Sequence, residues 1–530
     1  MPTPAGASPR ILKVEQHGVE PIPATERTAT AFDLFRLIFG GANTFVTVIL
    51  GSVPILFGLS FIDALWVTIT GVMLGALVVA PMALFGPVTG SNNAVSSSGH
   101  FGAHGRIIGS CLALLVAVAF YSISVWTSGD VILGAAHQFF AVPSNPWTLG
   151  AAYGILAVLM LVVCIYGFRF MLWVNKVAIV GATIMFLAGI LAFADKFDFG
   201  YAGAFGINGL MSTDPAFWAA AIGAGLVVMS NPVSFATFLG DWTRYIPKET
   251  PRKKLMSAVV LANIATLLPF IFGLATTSII ASAAPSFFEA GDYVGGLLSV
   301  SPLWYCVPIS ILAVIGGMST GTGLLYGTGL DFASIVPRLS RVQSTILIGA
   351  ASLAFILFGK FVLNVVQSIS TFAILIVTCT APWMVIMIVG FVKRKGWYDQ
   401  DDLQVFNRRV KGGIYWFNDG WNWRAVAVWA LASATGLVFV NVPGQFVGWL
   451  SPLVAGVDIS IPVAAGLAAV LYMAVLARFP EPSFVYGAGI PLPAADPVPA
   501  PASVPSSLQA PGTPPDFTTS NTRIKQKAAQ

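Results

Sequence analysis

The stretch Phe32 to Gly58, FDLFRLIFGGANTFVTVILGSVPILFG, decides how this chain folds. It is apolar and long enough to cross a bilayer, which takes about 20 residues of helix. Near its middle stands Phe39-Gly40-Gly41-Ala42-Asn43-Thr44. Two adjacent glycines weaken a helix. Asn43 costs free energy in hydrocarbon unless it finds a partner. Irregular backbone at membrane depth is tolerated only where it faces protein or a water-filled cavity. The reading is a membrane span broken near its centre, with a small polar chamber beside the break.

Outward from that span the whole chain has the same character. Of 530 residues, 56% are hydrophobic and 9% charged, against about 25% charged in soluble domains. So few charges cannot clothe a surface in water, so lipid covers most of it. Apolar runs predict about twelve transmembrane helices, at 32–58, 64–86, 107–135, 149–167, 172–193, 216–240, 256–282, 303–331, 343–359, 362–391, 423–442 and 458–478. This is an all-α integral membrane protein. With the N-terminus placed in the cytoplasm, only Lys196 and Lys360 of the 27 Lys and Arg residues fall on the outer side. That asymmetry is the positive-inside pattern, and it puts both termini in the cytoplasm of a plasma-membrane protein. It also accounts for the net charge of +5 without nucleic acid. The first thirty-odd residues have no apolar run of signal-peptide type. The chain divides into a cytoplasmic tail (1–31), a membrane domain (32–480) and a Pro/Ala-rich tail (481–530) expected to be disordered. Cys111, Cys164, Cys306 and Cys379 lie in apolar runs without metal-ligand spacing, and read as packing residues.

A second candidate break lies in the sixth span, where Gly223-Ala224-Gly225 precedes Ser230-Asn231-Pro232. Proline removes a helical hydrogen bond and frees a carbonyl. Two interrupted spans set five apart are what an inverted five-plus-five repeat with a midplane site shows. Each motif alone also fits tight packing through small residues. In the eighth span, Ser319 and Thr320 offer hard hydroxyl oxygens of the kind Na⁺ takes, although such groups often bond back to their own helix. Gly321 and Thr322 continue that stretch. In the third span, the Trp126 indole is a surface on which a flat ring can stack, or bulk facing lipid. Asp130, one turn on, is a functional candidate if it lies in the membrane, or an outer-surface charge if it does not.

Beyond these features, several motifs resemble the purine–cytosine permeases of the nucleobase–cation symporter family one, in particular the Fcy-like branch. They are Val14-Glu15-Gln16-His17-Gly18-Val19-Glu20-Pro21-Ile22-Pro23 with Glu26-Arg27-Thr28, the Gly40–Asn43 break, Gly86-Pro87-Val88-Thr89-Gly90, and His100-Phe101-Gly102. Asp241-Trp242-Thr243-Arg244-Tyr245-Ile246-Pro247, then Gly413-Ile414-Tyr415-Trp416 with Gly420-Trp421-Asn422, complete the set in order. The resemblance spans roughly residues 14 to 480. It implies a LeuT-type inverted five-plus-five repeat with two extra helices. It implies symport of a nucleobase or related heterocycle with H⁺ or Na⁺. By motif position, Trp126 falls where relatives place a ring-binding residue, Ser319 and Thr320 resemble the hydroxyls of a sodium site, and carbonyls near Gly40 to Ala42 complete it. The chain departs from cytosine-transporting relatives at Gly321 and Gly323, where they carry asparagines, and at Ser91, where a basic residue is frequent. Tyr326 keeps the downstream tyrosine.

The expected mechanism is alternating access about a midplane site. The substrate stacks on Trp126 and bonds to Asn43, Ser230 and Asn231, with Gly321 and Thr322 at its edge. A cation sits among Gly40, Ala42, Ser319 and Thr320. Asp130, or the cytoplasmic Asp241 and Arg244, serves as gate or proton-coupling group. No cofactor is expected, and the partners are a small heterocycle and the bilayer. The competing readings are a symporter of another small solute such as an amino acid, and a membrane receptor or channel. An enzyme would need a nucleophile–base pair or metal cluster at depth. His17, His100, His104 and His137 lie outside the spans or at their edges.

Overall fold

The computed structural model describes residues 20–487 apart from 167, 208, 337, 364–368, 443–445 and 455, and in it the first span is two helices. α1 (Ala31–Ala42) opens on a capping box, the Thr30 hydroxyl taking the Asp33 N–H while the Asp33 carboxylate takes the Thr30 N–H. It ends at Asn43 (φ −81°, ψ 62°). α2 (Phe45–Leu56) restarts after an extended Thr44, its axis bent 62° from that of α1. Asn43 and Thr44 leave the helical region where Gly40 and Gly41 have already weakened it.

The chain continues through α3 (Phe61–Val79), α4 (Ile107–Phe140), α5 (Pro146–Tyr166), α6 (Phe168–Phe193), α7 (Pro215–Ser234), the short α8 (Leu239–Thr243), α9 (Arg252–Ala265) and α10 (Leu267–Ala283). Then come the short α11 (Pro285–Glu289) and α12 (Tyr293–Val300), α13 (Leu303–Ile335), α14 (Arg341–Phe358), α15 (Ile369–Lys393), α16 (Trp423–Leu437) and α17 (Ser460–Arg478). Among the described residues ten helical runs suit a bilayer crossing, and the bent α1–α2 pair makes an eleventh. The expected span 423–442 is shorter than predicted. α16 has 15 residues, about 22 Å at 1.5 Å per residue, and beyond it two strands of two residues each pair antiparallel, Asn441 opposite Val447. Trp66, Ile155, Leu191 and Val470 are each more than half exposed, as lipid-facing side chains are.

The sixth span corrects the sequence reading. α7 runs unbroken through Gly223-Ala224-Gly225 and Ser230-Asn231-Pro232. The small residues pack helices rather than interrupt one. Gly71 of α3 faces the Gly225 carbonyl, and Gly75 gives room to the Pro232 ring. The helix tightens only after Ser234, into a 3-10 turn at Phe235–Thr237 that leads to α8. Asn93 anchors that turn by donating to the Ala236 carbonyl at 2.7 Å.

Packing sorts the helices into two groups. α1 lies on α9, α2 on α10 and α3 on α7, while α4, α5, α13 and α14 pack on one another, and α6 touches both α1 and α13. On the side holding the N-terminus, short loops knit into a buried polar layer. Gly90 (φ 70°) leaves space for the Arg27 guanidinium, which donates to the Ile22 and Pro87 carbonyls. Arg394 pairs with Glu481 at 3.0 Å, both side chains at most 2% exposed, and Asn422 donates to Glu481 and to the His100 carbonyl. Packing of this kind extends past residue 480. Residues 481–487, expected to begin a disordered tail, include a 3-10 turn at Ser483–Tyr486 and a Gly487 set against Trp397. A buried carboxylate needs its counter-ion, and that fixes the segment. The remainder of that tail lies outside the described residues, as do residues 1–19.

Candidate functional site

A cleft opens between the two groups at the α1–α2 break. Each wall follows from local structure. The break brings Thr44 to the cleft, with Gly41 before it and Thr47 after it in the chain. Gly41 admits the Phe235 ring, which approaches within 3.7 Å of where a Cβ would stand. The 3-10 turn after α7 presents Phe235 and Phe238, and α8 adds Trp242, whose ring centroid is 5.8 Å from that of Phe235. α4 contributes Phe120, α6 Met171 and Asn175, α7 Asn231 and Ser234, and α13 Ser319, Thr320, Gly323 and Leu324.

The lining is aromatic and aliphatic with a few polar atoms left without hydrogen-bond partners. These are Thr44 Oγ1, Asn175 Oδ1, Asn231 Oδ1 and Trp242 Nε1. Buried polar groups are nearly always satisfied, so these four stand out in the lining. Asn231 reaches Thr47 with its amide nitrogen at 3.4 Å and leaves its oxygen open.

Beside the cleft the broken helix meets α13 through hydroxyls. Ser319 Oγ donates to the Gly40 carbonyl at 2.8 Å and Thr320 Oγ1 to the Gly41 carbonyl at 2.6 Å. Asn175 Nδ2 donates to Ser319 Oγ at 3.0 Å, with its carboxamide pressed on Gly40. The Ala42 carbonyl accepts from Thr44 N at 2.9 Å inside the turn. This is a set of neutral oxygens from two elements. Its donors fit a hard alkali cation once the two hydroxyls rotate their protons away.

The structure brings together only some of the expected residues. Asn231, Ser319 and Thr320 line the cleft, with the Gly40 carbonyl next to it. The remainder lie elsewhere. Asn43 caps α1 and donates to Thr183 of α6 at 3.3 Å. The Ser230 hydroxyl donates to the Val227 carbonyl at 2.6 Å, the Thr322 hydroxyl donates to the Ser319 carbonyl at 3.2 Å, and Gly321 packs on Met160. Trp126 faces α14, its indole N–H donating to the Ile356 carbonyl at 3.2 Å. Asp130 accepts from Tyr153 and pairs with Lys360 at 3.2 Å, a set confined to the α4, α5 and α14 side. Asp241 and Arg244 are fully buried rather than solvated, and Arg244 Nη2 donates to Tyr326 at 3.0 Å and Tyr245 at 3.1 Å. Phe120, Phe235, Trp242, Thr44 and Asn175 were not anticipated.

The cleft is skewed toward the end of the bundle where α1 begins and α7 ends. At the opposite end α12 covers the helices, with Tyr293 against Phe45 and within 2.6 Å of the Thr276 hydroxyl.

Residues 21–461 match the profile of a protein family described as permeases for cytosine/purines, uracil, thiamine and allantoin. A putative purine-cytosine permease, YxlA, of Bacillus subtilis (strain 168) is 24% identical over 479 residues, 87% of this chain and 95% of its own. A nucleobase-cation-symport-1 family transporter, solved in a closed conformation with bromovinylhydantoin bound, superposes with a TM-score of 0.66. It is 18% identical, over 89% of this chain and 98% of that one. A Na⁺-coupled sialic acid symporter superposes at 0.54 with 14% identity, over 86% of this chain and 91% of that one. The architecture is the LeuT-type fold.

Proposed function

The chain belongs to the family of permeases for cytosine/purines, uracil, thiamine and allantoin, a family of transporters rather than enzymes, and from that premise we propose that it takes up a nucleobase or related flat heterocycle together with a cation. The observation that carries this reading is the cleft itself. Aromatic rings of Phe120, Phe235 and Trp242 line it, together with Thr44, Asn175, Asn231 and Trp242, each of which has a polar atom without a hydrogen-bond partner. A planar ring stacks on the former, and its edge supplies what the latter lack. Asn231 keeps the edge-reading role that the sequence assigned to it, and Asn175 takes over that of Asn43 and Ser230. Gly321 and Thr322 keep α13 close to α5 and to its own turn, and shape the wall from behind.

Coupling is assigned to the Gly40, Gly41, Ser319 and Thr320 oxygens with the neighbouring Ala42 turn, where a cation would replace two direct hydrogen bonds between α1 and α13. It would then favour whichever arrangement of the two helix groups keeps those oxygens together, by its differential affinity alone. If the coupling ion is H⁺, Asp241 is the stronger candidate. Asp130 has its partners within one helix group, so moving the groups leaves it unchanged. The charge asymmetry supports a plasma-membrane location with both termini in the cytoplasm.

The test is uptake of labelled cytosine, adenine, hypoxanthine, uracil and allantoin by cells lacking their own permeases, with amino acids as competitors. Accumulation of one heterocycle under a Na⁺ or pH gradient is expected. Competition by amino acids alone would overturn the proposal. Ser319→Ala with Thr320→Ala should abolish Na⁺ stimulation while leaving protein in the membrane.

A further inference from the structure

One buried amide joins the cleft to the oxygens between α1 and α13. Asn175 of α6 is buried and lines the cleft, and its Nδ2 donates to Ser319 Oγ at 3.0 Å. Ser319 Oγ in turn donates to the Gly40 carbonyl at 2.8 Å. A carbonyl oxygen only accepts, so the single proton of the Ser319 hydroxyl is committed to Gly40. Toward Asn175 the hydroxyl has lone pairs alone, and the amide must show it nitrogen. This succession of donors fixes which way the carboxamide faces. Asn175 Oδ1 is then left over, buried and without a hydrogen-bond partner.

The surroundings hold the carboxamide in place but not in that orientation. It lies against Gly40, where a Cβ would run into both Nδ2 and Oδ1. No side chain fits at Gly40 while the amide is there. The amide nitrogen and oxygen are nearly equal in size, so a half-turn about χ2 exchanges them within the same space. α6 is held to the broken helix a second time, about two turns on, where Thr183 accepts from Asn43 at 3.3 Å. The amide can therefore turn over while its helix stays where it is.

We infer that Asn175 is a relay: it reverses the hydrogen-bond polarity offered to a heterocycle when the Gly40 and Ser319 oxygens take up an alkali cation. To act as a ligand, Ser319 Oγ must turn its proton away from the Gly40 carbonyl, because carbonyl and hydroxyl lone pairs then face the same ion. Asn175 Oδ1 accepts that proton once the carboxamide has turned over. The same turn puts Nδ2, a donor, where Oδ1 stood. Without the cation Asn175 complements an N–H of the guest, and with it a carbonyl oxygen or ring nitrogen. Only hydrogen bonds change, and the proton stays on Ser319. The inference rests on the permease reading, which supplies both the heterocycle and the cation.

Difference infrared spectra of the purified protein in lipid, Na⁺ against K⁺, test it without transport and without a heterocycle. Isotope-labelled asparagine marks the side-chain amide C=O band, and the Asn175 contribution is the part missing in Asn175→Leu. If Asn175→Leu does not fold, Asn175→Asp, of equal size, lacks the same band. Na⁺ should move the Asn175 band to lower wavenumber, as an oxygen without a partner gains the Ser319 O–H. A band that stays put overturns the relay. Where Na⁺ still raises the melting temperature in that case, Ser319 has bonded back to the Ile315 carbonyl of its own helix. Binding of uracil against cytosine, and of hypoxanthine against adenine, gives a second reading, since each pair exchanges donor and acceptor on one edge. Na⁺ should change the affinity ratio within a pair by up to about tenfold, the effect of one hydrogen bond made or left unmade. In Asn175→Leu the ratio should no longer respond to Na⁺. Na⁺ raising every affinity alike overturns the relay and leaves the permease reading intact. A shifted band with no heterocycle bound would instead remove the heterocycle reading and leave the turning amide standing.

Discussion

At the scale of single residues, the site turns on which way an aromatic ring faces. Trp126 is the more conspicuous ring of the third span, yet Phe120 is the one in the cleft. Six residues separate them, about 120° around a helix of 3.6 residues per turn, so they cannot share a face. Only packing told which face was inward, and the indole N–H had found the Ile356 carbonyl. Phe235→Ala is therefore expected to raise the KM for the heterocycle several-fold, since aromatic stacking contributes about 0.5–1.5 kcal/mol beyond burial. Trp126→Phe should leave KM unchanged and cost about 1 kcal/mol of stability from the lost hydrogen bond, read by uptake kinetics and by melting of the purified protein. Asn175 was within reach of the sequence, being an amide in the fifth apolar run, where polar groups are rare and purposeful. Asn175→Leu should weaken substrate binding and Na⁺ dependence together, since its carboxamide touches both cleft and Ser319. Phe235 and Trp242 carried no such signal, because an apolar residue in an apolar run is unremarked.

At the scale of elements, the first break was legible and the second was displaced. Gly40-Gly41 followed by Asn43 combines weak helix former with polar cap, and the chain bends there. In the sixth span the glycines and Pro232 advertised a break that neighbouring helix α3 absorbs through Gly71 and Gly75. Sequence alone cannot separate a glycine that frees a backbone from one that admits a neighbour. The same ambiguity has a testable counterpart where α2 crosses α10. A Cβ on Gly51 would stand 2.8 Å from Phe270 Cα, and Gly273 faces the backbone of Val48. Because backbone and not a movable side chain is in the way, Gly51→Val or Gly273→Val should cost 1–3 kcal/mol or more. The expected result is a lower melting temperature and a loss of monodisperse protein on size exclusion.

At the scale of the whole molecule, charge placement and hydropathy carried most of the fold, and both are properties of long stretches that local packing cannot reverse. The polar layer on the N-terminal side was legible only as motifs. Their reason is geometric, as with Gly102 (φ 94°), which lies against Gly420 and Asn422. The end of the membrane domain was misplaced because a lone Glu481 in a Pro-rich segment gives no hint of Arg394 87 positions earlier. Glu481→Gln should destabilise the protein by about 3–5 kcal/mol by leaving a buried guanidinium unpaired, and apolar replacement of both partners should recover most of it. That pair also orders events during synthesis. Arg394 emerges long before its counter-ion, and Asn422 waits for the same carboxylate. A nascent chain halted before residue 481 therefore holds an uncompensated cation in its interior. Whatever surveys unfinished membrane proteins has in that cation a mark that the last few residues erase.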